Sequence, residues 1–277
     1  MKHEINKKPF NLFNTQHTAL ITGASSGIGR AFAHTLAEQG VGLILVARRT
    51  EKLKALAQEL QERHHTRCTI IPMDLTTINA THILSRQIEA AGLSVDILIN
   101  NAGFSTYGNF GDIPLAEEQQ LLHLNILALT ELCHAFMPSM AHRGFGAVIN
   151  LCSTTSFFPL PLQATYAASK AYVLSLSEAL WYEYRPKGVR VIGICPGATD
   201  TEFFDVLGQN FKGTKAAPQD VVHTALQGLA DNKPSVVHGL SNAIQAHLLP
   251  RALTRKSLIR LVGKISGNVY LKTEKND

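Results

Sequence analysis

The sequence predicts an α/β protein, a doubly wound parallel sheet with helices on both faces, and three observations predict it. Seven short apolar and β-branched runs recur along the chain, helical patterns separate them, and no linker or composition shift breaks the series. The runs are HTALIT (17–22), VGLILVA (41–47), CTIIPM (68–73), VDILIN (95–100), GAVINL (146–151), VRVIGIC (189–195) and PSVVHG (234–239). The intervening helices are expected at 27–39, 50–63, 77–91, 116–142, 163–186 and 218–231. A single domain at 17–240 is then flanked by a loose tail, 1–16, and a basic helical extension, 241–277.

Composition narrows the class. A chain of 277 residues with 45% hydrophobic and 17% charged residues can bury an ordinary globular core without staples. Cys68, Cys133, Cys152 and Cys195 lie far apart and form no C-x-x-C pair, so reduced buried thiols are expected rather than disulfides or a zinc knuckle. The 12 histidines include no H-E-x-x-H, and no metal is expected. The opening MKHEINKKPFNLFNTQH is basic and polar, unlike a secretory signal, and VGLILVA is too short to span a bilayer; a cytoplasmic protein is the expectation. Seven Lys or Arg and two acids in residues 245–277 carry the whole net charge of +5. That concentration, with no aromatic-and-basic repeat, argues against a nucleic-acid-binding surface.

The first strand runs into TGASSGIG, residues 22–29, which holds Gly23, Ser25, Ser26, Gly27, Ile28 and Gly29. A glycine-rich turn between a strand and a helix lets backbone N–H groups and the helix dipole face a pyrophosphate, as in Rossmann-like sheets. An acid at the end of the second strand would accept from a free ribose 2′-hydroxyl, but Ala47, Arg48 and Arg49 stand there. Two guanidinium groups suit a 2′-phosphate, so NADP(H) is expected over NAD(H); solvated helix-start charges are the plainer alternative.

TGASSGIG, NNAG (100–103), Ser153, Y-x-x-x-K at Tyr166 and Lys170, and PG (196–197), in this order, resemble the short-chain dehydrogenase/reductase family over roughly residues 17–235. The resemblance implies a single-domain, NADP-preferring oxidoreductase with Tyr166 as general acid/base, Lys170 as its tuner, Ser153 as anchor of the substrate oxygen and Asn125 as support for a proton relay. The chemistry agrees with these roles. Tyr166 and Lys170, four residues apart, share one helix face. A free tyrosine titrates near about 10, and lowering that by about two units corresponds to roughly 2.7 kcal/mol of preference for the phenolate. By the same resemblance Lys170 also holds the nicotinamide ribose, Asp74 contacts the adenine, and Asn101, Ala102 and Gly103 line the adenosine ribose. After the cofactor-site turn at Pro196 and Gly197, Thr199 by its backbone and Thr201 by its hydroxyl then hold the carboxamide. Asp74 also suits a helix N-cap, Ser153 a strand-end cap and Asn125 an ordinary polar helix position.

FFPLPL (157–162) and TEFFDVLGQNF (201–211), with Phe104 and Tyr107, point to a pocket for a hydrophobic carbonyl or alcohol, such as an acyl chain, a sterol-like ring or an aromatic ketone. Phe157 and Phe158 fit a subunit interface as well, because the family is usually dimeric or tetrameric through the helices at 116–142 and 163–186. In LLPRALTRKSLIRLVGKI, Lys256, Arg260 and Lys264 oppose Leu258, Leu261, Val262 and Ile265. That division suits weak peripheral contact with an anionic bilayer, or docking on the domain or on a second subunit. The rival reading of the whole is an NADP(H)-binding regulatory or scaffold protein without turnover.

Overall fold

The computed structural model describes residues 12–207, 209–211 and 213–272. Its strands are β1 (Thr18–Thr22), β2 (Gly42–Ala47), β3 (Cys68–Pro72), β4 (Ile97–Asn100), β5 (Gly146–Leu151), β6 (Val189–Cys195), β7 (Gln209–Phe211), β8 (Ser235–Val237) and β9 (Tyr270–Lys272). The helices are α1 (Gly27–Glu38), α2 (Thr50–His64), α3 (Ala80–Ala90), α4 (Leu115–Leu122), α5 (Leu129–Arg143), α6 (Ala164–Tyr184), α7 (Phe203–Leu207), α8 (Pro218–Ala230), α9 (Leu240–Ala252) and α10 (Arg255–Val269).

Seven strands form one parallel sheet in the order β3-β2-β1-β4-β5-β6-β8, while β7 and β9 pair antiparallel outside it. The central strands are apolar at nearly every position because both faces are covered. On one face Phe32 and Leu36 of α1, Leu53 and Leu60 of α2 and Val221 of α8 pack on Ile21 and Leu45. On the other, Leu84 of α3, Leu132 and Met140 of α5 and Val173 of α6 pack on Leu20 and Val148. The strand order turns back between β1 and β4, and the crevice at the carboxyl ends of those strands is where such sheets bind ligands.

Several boundaries differ from the sequence reading. The first helix after β3 begins at Ala80 rather than 77. The helix expected at 116–142 is α4 and α5 joined by one π-helical turn, His123–Ala128. By length and composition the rod 115–143 is apolar enough to cross a membrane, although no uninterrupted run reveals it. Its apolar residues Leu121, Leu129, Leu132, Met137 and Met140 are buried in the fold. Leu12 is buried too, while Phe13, Thr15 and Gln16 of the same tail are exposed; residues 1–11 of that tail and 273–277 of the extension lie outside the described residues. Cys133, Cys152 and Cys195 are buried thiols as expected, but Cys68 on the edge strand is only half-buried, enough to push its thiol up to about 11.

Candidate active site

One cavity of about 840 Å³ runs across the carboxyl ends of the strands. Its cofactor end is backbone. Gly23 and Gly27 have φ of 65° and 54°, in the left-handed region that glycine tolerates. A side chain at Gly29 would lie 2.4 Å from the Gly23 carbonyl oxygen, and one at Gly27 2.8 Å from the Thr201 methyl. The turn is held from the side by β4. Asn101 Nδ2 donates to the carbonyls of Thr22 (2.9 Å) and Gly23 (3.2 Å), and Thr22 Oγ1 accepts the N–H groups of Asn101 and Ala102, both at 3.0 Å.

Tyr166, Lys170 and Ser153 line the same cavity, 9%, 6% and 7% exposed. The Lys170 ammonium lies 5.8 Å from the Tyr166 ring centre and donates to the Leu151 carbonyl at 2.6 Å. Burial pushes it down to about 8. Ser153 lies just beyond β5 and serves as a cap as well: its Oγ accepts the Thr155 N–H, and its own N–H donates to Ser156 Oγ, which bonds to the Lys170 carbonyl. The serine and the lysine are thereby tied together through backbone.

Asn125 sits in the π-helical turn and is fully buried. Its Oδ1 accepts the Phe104 N–H, and its Nδ2 donates to the Phe104 carbonyl and to Ser169 Oγ. Gly103 leaves room for this, since a side chain there would meet Asn125 Oδ1 at 3.0 Å and Lys170 Nζ at 3.6 Å.

The glycine cradle followed by a serine, a tyrosine and a lysine on one cavity wall is accompanied by a match to the short chain dehydrogenase family model over residues 17–211. The chain is a short-chain dehydrogenase. It is similar to the human very-long-chain 3-oxoacyl-CoA reductase, 28% identical over 93% of this chain and 83% of that one. It is also similar to human 17-beta-hydroxysteroid dehydrogenase type 3, 34% identical over 69% of this chain and 62% of that one. A solved short-chain dehydrogenase from Sphingobium yanoikuyae in complex with NADPH superimposes with a TM-score of 0.79 at 33% identity, covering 88% of this chain and 95% of that one. A structure from a study of 7beta-hydroxysteroid dehydrogenase stereoselectivity gives 0.81 at 28% identity, covering 89% and 96%. Membership makes the chain an oxidoreductase acting on CH–OH or C=O groups with a nicotinamide cofactor.

Within this dehydrogenase the other expected residues gather at the same cavity, with revisions. Ser25, Ser26, Ile28, Arg48, Arg49, Asp74, Ala102, Pro196, Gly197, Thr199 and Thr201 all line it. Arg49 donates to Ser25 and Ser26 hydroxyls and at 2.5 Å to Glu202, whose other oxygen accepts from Lys52 at 2.6 Å. These hydrogen bonds, Lys52 first and Arg49 second, hold the Glu202 carboxyl down to about 2. Glu202 carried no sequence signal, because its partners lie 150 positions away or more. Asp74 caps no helix; its Oδ1 accepts the Thr76 N–H and hydroxyl in a local turn.

The substrate wall is apolar. Phe158 and Leu160 line the cavity with Phe203, Phe204 and Phe211, and Phe203 lies 5.7 Å from the Tyr166 ring. Phe157 instead packs edge-on against His247, 4.9 Å away, and Tyr107 does not line the cavity. The extension closes the far side. Leu249, Leu261, Val262, Ile265 and Ser266 line the cavity, Leu258 and Val262 are buried, and Asn242 abuts Gly197. Of the apolar side of α10, Leu258 and Val262 are thus buried against its own domain, while Leu261 and Ile265 stay exposed.

Proposed function

We propose that this dehydrogenase reduces hydrophobic ketones or aldehydes with NADPH, or oxidises the matching alcohols with NADP⁺, using Tyr166 as the general acid/base. The observation that carries the reading is the meeting of Tyr166, Lys170 and Ser153 in one cavity whose other end is a glycine cradle. The cradle fits a dinucleotide: it presents backbone without side chains at the N-terminus of α1. Gly23, Gly27, Gly29, Arg48, Arg49, Asp74, Asn101, Thr199 and Thr201 would hold the cofactor, which supplies or receives the hydride. Arg48 and Arg49, with no acid at the end of β2, favour the 2′-phosphate form, for which Arg49 would exchange its bond to Glu202.

The roles of the side chains follow from their chemistry. The Ser153 hydroxyl would donate to the carbonyl oxygen and hold it near Tyr166. The Tyr166 phenol would give its proton to that oxygen as negative charge builds there. The buried Lys170 ammonium stabilises the resulting phenolate, in a site where little water screens it. Asn125 would support reprotonation by fixing the Phe104 segment beside Lys170. Aromatic and aliphatic walls favour an acyl chain, a ring system or an aryl group, in keeping with the activities that the names of the two human relatives state. Exposed Leu122, Leu127, Tyr172 and Tyr182 on the α4–α5 rod and α6 support a homo-oligomer built on those helices.

NADPH and NADH consumption measured against hydrophobic aldehydes, ketones and 3-oxoacyl thioesters tests this. Turnover at least about tenfold faster with NADPH is expected. Tight NADPH binding with no consumption across the panel would favour a cofactor-binding regulator instead.

A further inference from the structure

Helix α9 carries apolar side chains on both of its sides. On the inner side Asn242 and Leu249 line the cavity and Ala246 is buried. Leu240, Ile244 and Leu248 follow one another at spacing four, which puts them in a row on the opposite side of the helix. They are 79%, 51% and 58% exposed, and none of them lines the cavity, so the row faces outward. A helix on the surface of a domain ordinarily turns a polar face to water. Single exposed aliphatic residues need no explanation, but a row of three large ones is a patch that a partner would cover.

The charge around the row indicates the partner. Arg251 lies three residues beyond Leu248 on the same side of α9, and Arg255, Lys256, Arg260 and Lys264 follow on α10; all five are exposed. No acidic residue stands between Asp231 and Glu274. Among the described residues none of the five cations makes an ion pair. Ile259, 37% exposed and also no part of the cavity lining, stands next to Arg260.

Aliphatic side chains beside unpaired cations suit the interface of an anionic bilayer, where the first enter the acyl boundary and the second meet the headgroups. A second copy of the chain suits it poorly. A two-fold contact of this face with itself would set five cations against five with no acid on either side. A nucleic acid would engage the cations and leave the aliphatic row in water.

We propose that the outer face of α9, with the cations of α9 and α10, is a docking surface for an anionic lipid bilayer. The chain then lies on the membrane by one face and does not cross it there. Docking involves no catalytic step, so it stands or falls separately from the carbonyl-reductase reading.

The test is co-sedimentation of the full chain with vesicles of phosphatidylcholine alone and of phosphatidylcholine mixed with phosphatidylserine. Capture is expected on the phosphatidylserine vesicles only, and it should fall as salt rises from about 0.1 M to about 1 M and charge is screened. Arg260→Gln combined with Lys264→Gln should weaken capture roughly thirtyfold, each cation at an anionic surface counting for about fivefold. Ile244→Ser combined with Leu248→Ser should weaken it by at least about tenfold. None of these four side chains lines the cavity, so the melting temperature and NADPH affinity of each variant should match the wild type. Should the Ile244 and Leu248 variant melt early, the Arg260 and Lys264 variant decides. No capture on either vesicle, equal capture on both, or capture that the variants leave unchanged would overturn the proposal. A particle mass, read by light scattering, that falls in the Ile244 and Leu248 variant would give the face to a second copy and overturn it as well.

Discussion

At the cofactor end of the cavity the glycine turn presents main chain, clamped by Asn101 and Thr22 at the tip of β4. At the substrate end the wall is side chains from segments widely separated in sequence: Phe158 and Leu160, Phe203 and Phe204, and Leu249 and Val262 of the extension. A backbone cradle has no spare volume and fixes one ligand shape. A side-chain wall can be repacked residue by residue without disturbing the sheet, and sites of this kind diversify on a constant scaffold. The contrast predicts sharp effects on cofactor binding from small changes at one end, and graded effects on substrate selection at the other.

The sharpest test of that contrast is Gly29→Ala. One methyl group would lie 2.4 Å from the Gly23 carbonyl oxygen and 2.5 Å from Asn101 Nδ2, so the cradle itself must shift. Overpacking of about 1–3 kcal/mol corresponds to NADPH binding weakened roughly fivefold to 150-fold, read by cofactor fluorescence titration. Unchanged affinity would mean that the turn is not the rigid element described. At the other end, Leu258→Ala combined with Val262→Ala loosens the docking of α10. The KM for a bulky carbonyl is expected to rise about tenfold while the NADPH Kd moves less than about twofold. Equal shifts in both constants would break the division between the two ends.

Arg49→Ala sharpens the comparison within the cofactor end. Because this side chain is 44% exposed, a contact it made with a 2′-phosphate would be partly screened. NADPH binding should weaken by roughly tenfold with NADH binding unaffected; parallel loss of both would place Arg49 outside the phosphate contact. A further effect is on stability. Lys170 titrates near about 8 in the folded protein against 10.5 ordinarily. Between those values the unfolded chain holds a proton that the folded one has released, so this group makes stability rise with pH across the window. Below it the buried charge opposes folding. Urea unfolding at pH 7.5 and pH 10 should show this contribution in the wild type and not in Lys170→Met.

The strand-helix alternation was legible because each run of the parallel sheet is buried on both faces and flanked by turn residues, as LILVA before Arg48 and Arg49 shows. The candidate site was legible where its residues are held by short-range geometry: the glycine turn, and Tyr166 and Lys170 on one helix face. The π-helical turn left no trace, because HLNILA reads as ordinary helix and the bonds of Asn125 to Phe104 join segments 21 positions apart. Amphipathicity revealed that α10 has an apolar side but not what covers it, since that depends on Pro161, near Gly263 and bonded to Ser266, a hundred residues away. Glu202 escaped notice for the same reason: it acquires meaning only from partners that folding brings together.

The most direct test of the central claim is one turnover of the NADPH complex with a hydrophobic ketone, wild type against Tyr166→Phe, with NADPH affinity measured on the same samples. The account predicts matched affinity and NADPH oxidation slowed by about a thousandfold in the variant, the range expected for loss of a general acid. Oxidation by Tyr166→Phe within about tenfold of the wild-type rate would contradict it.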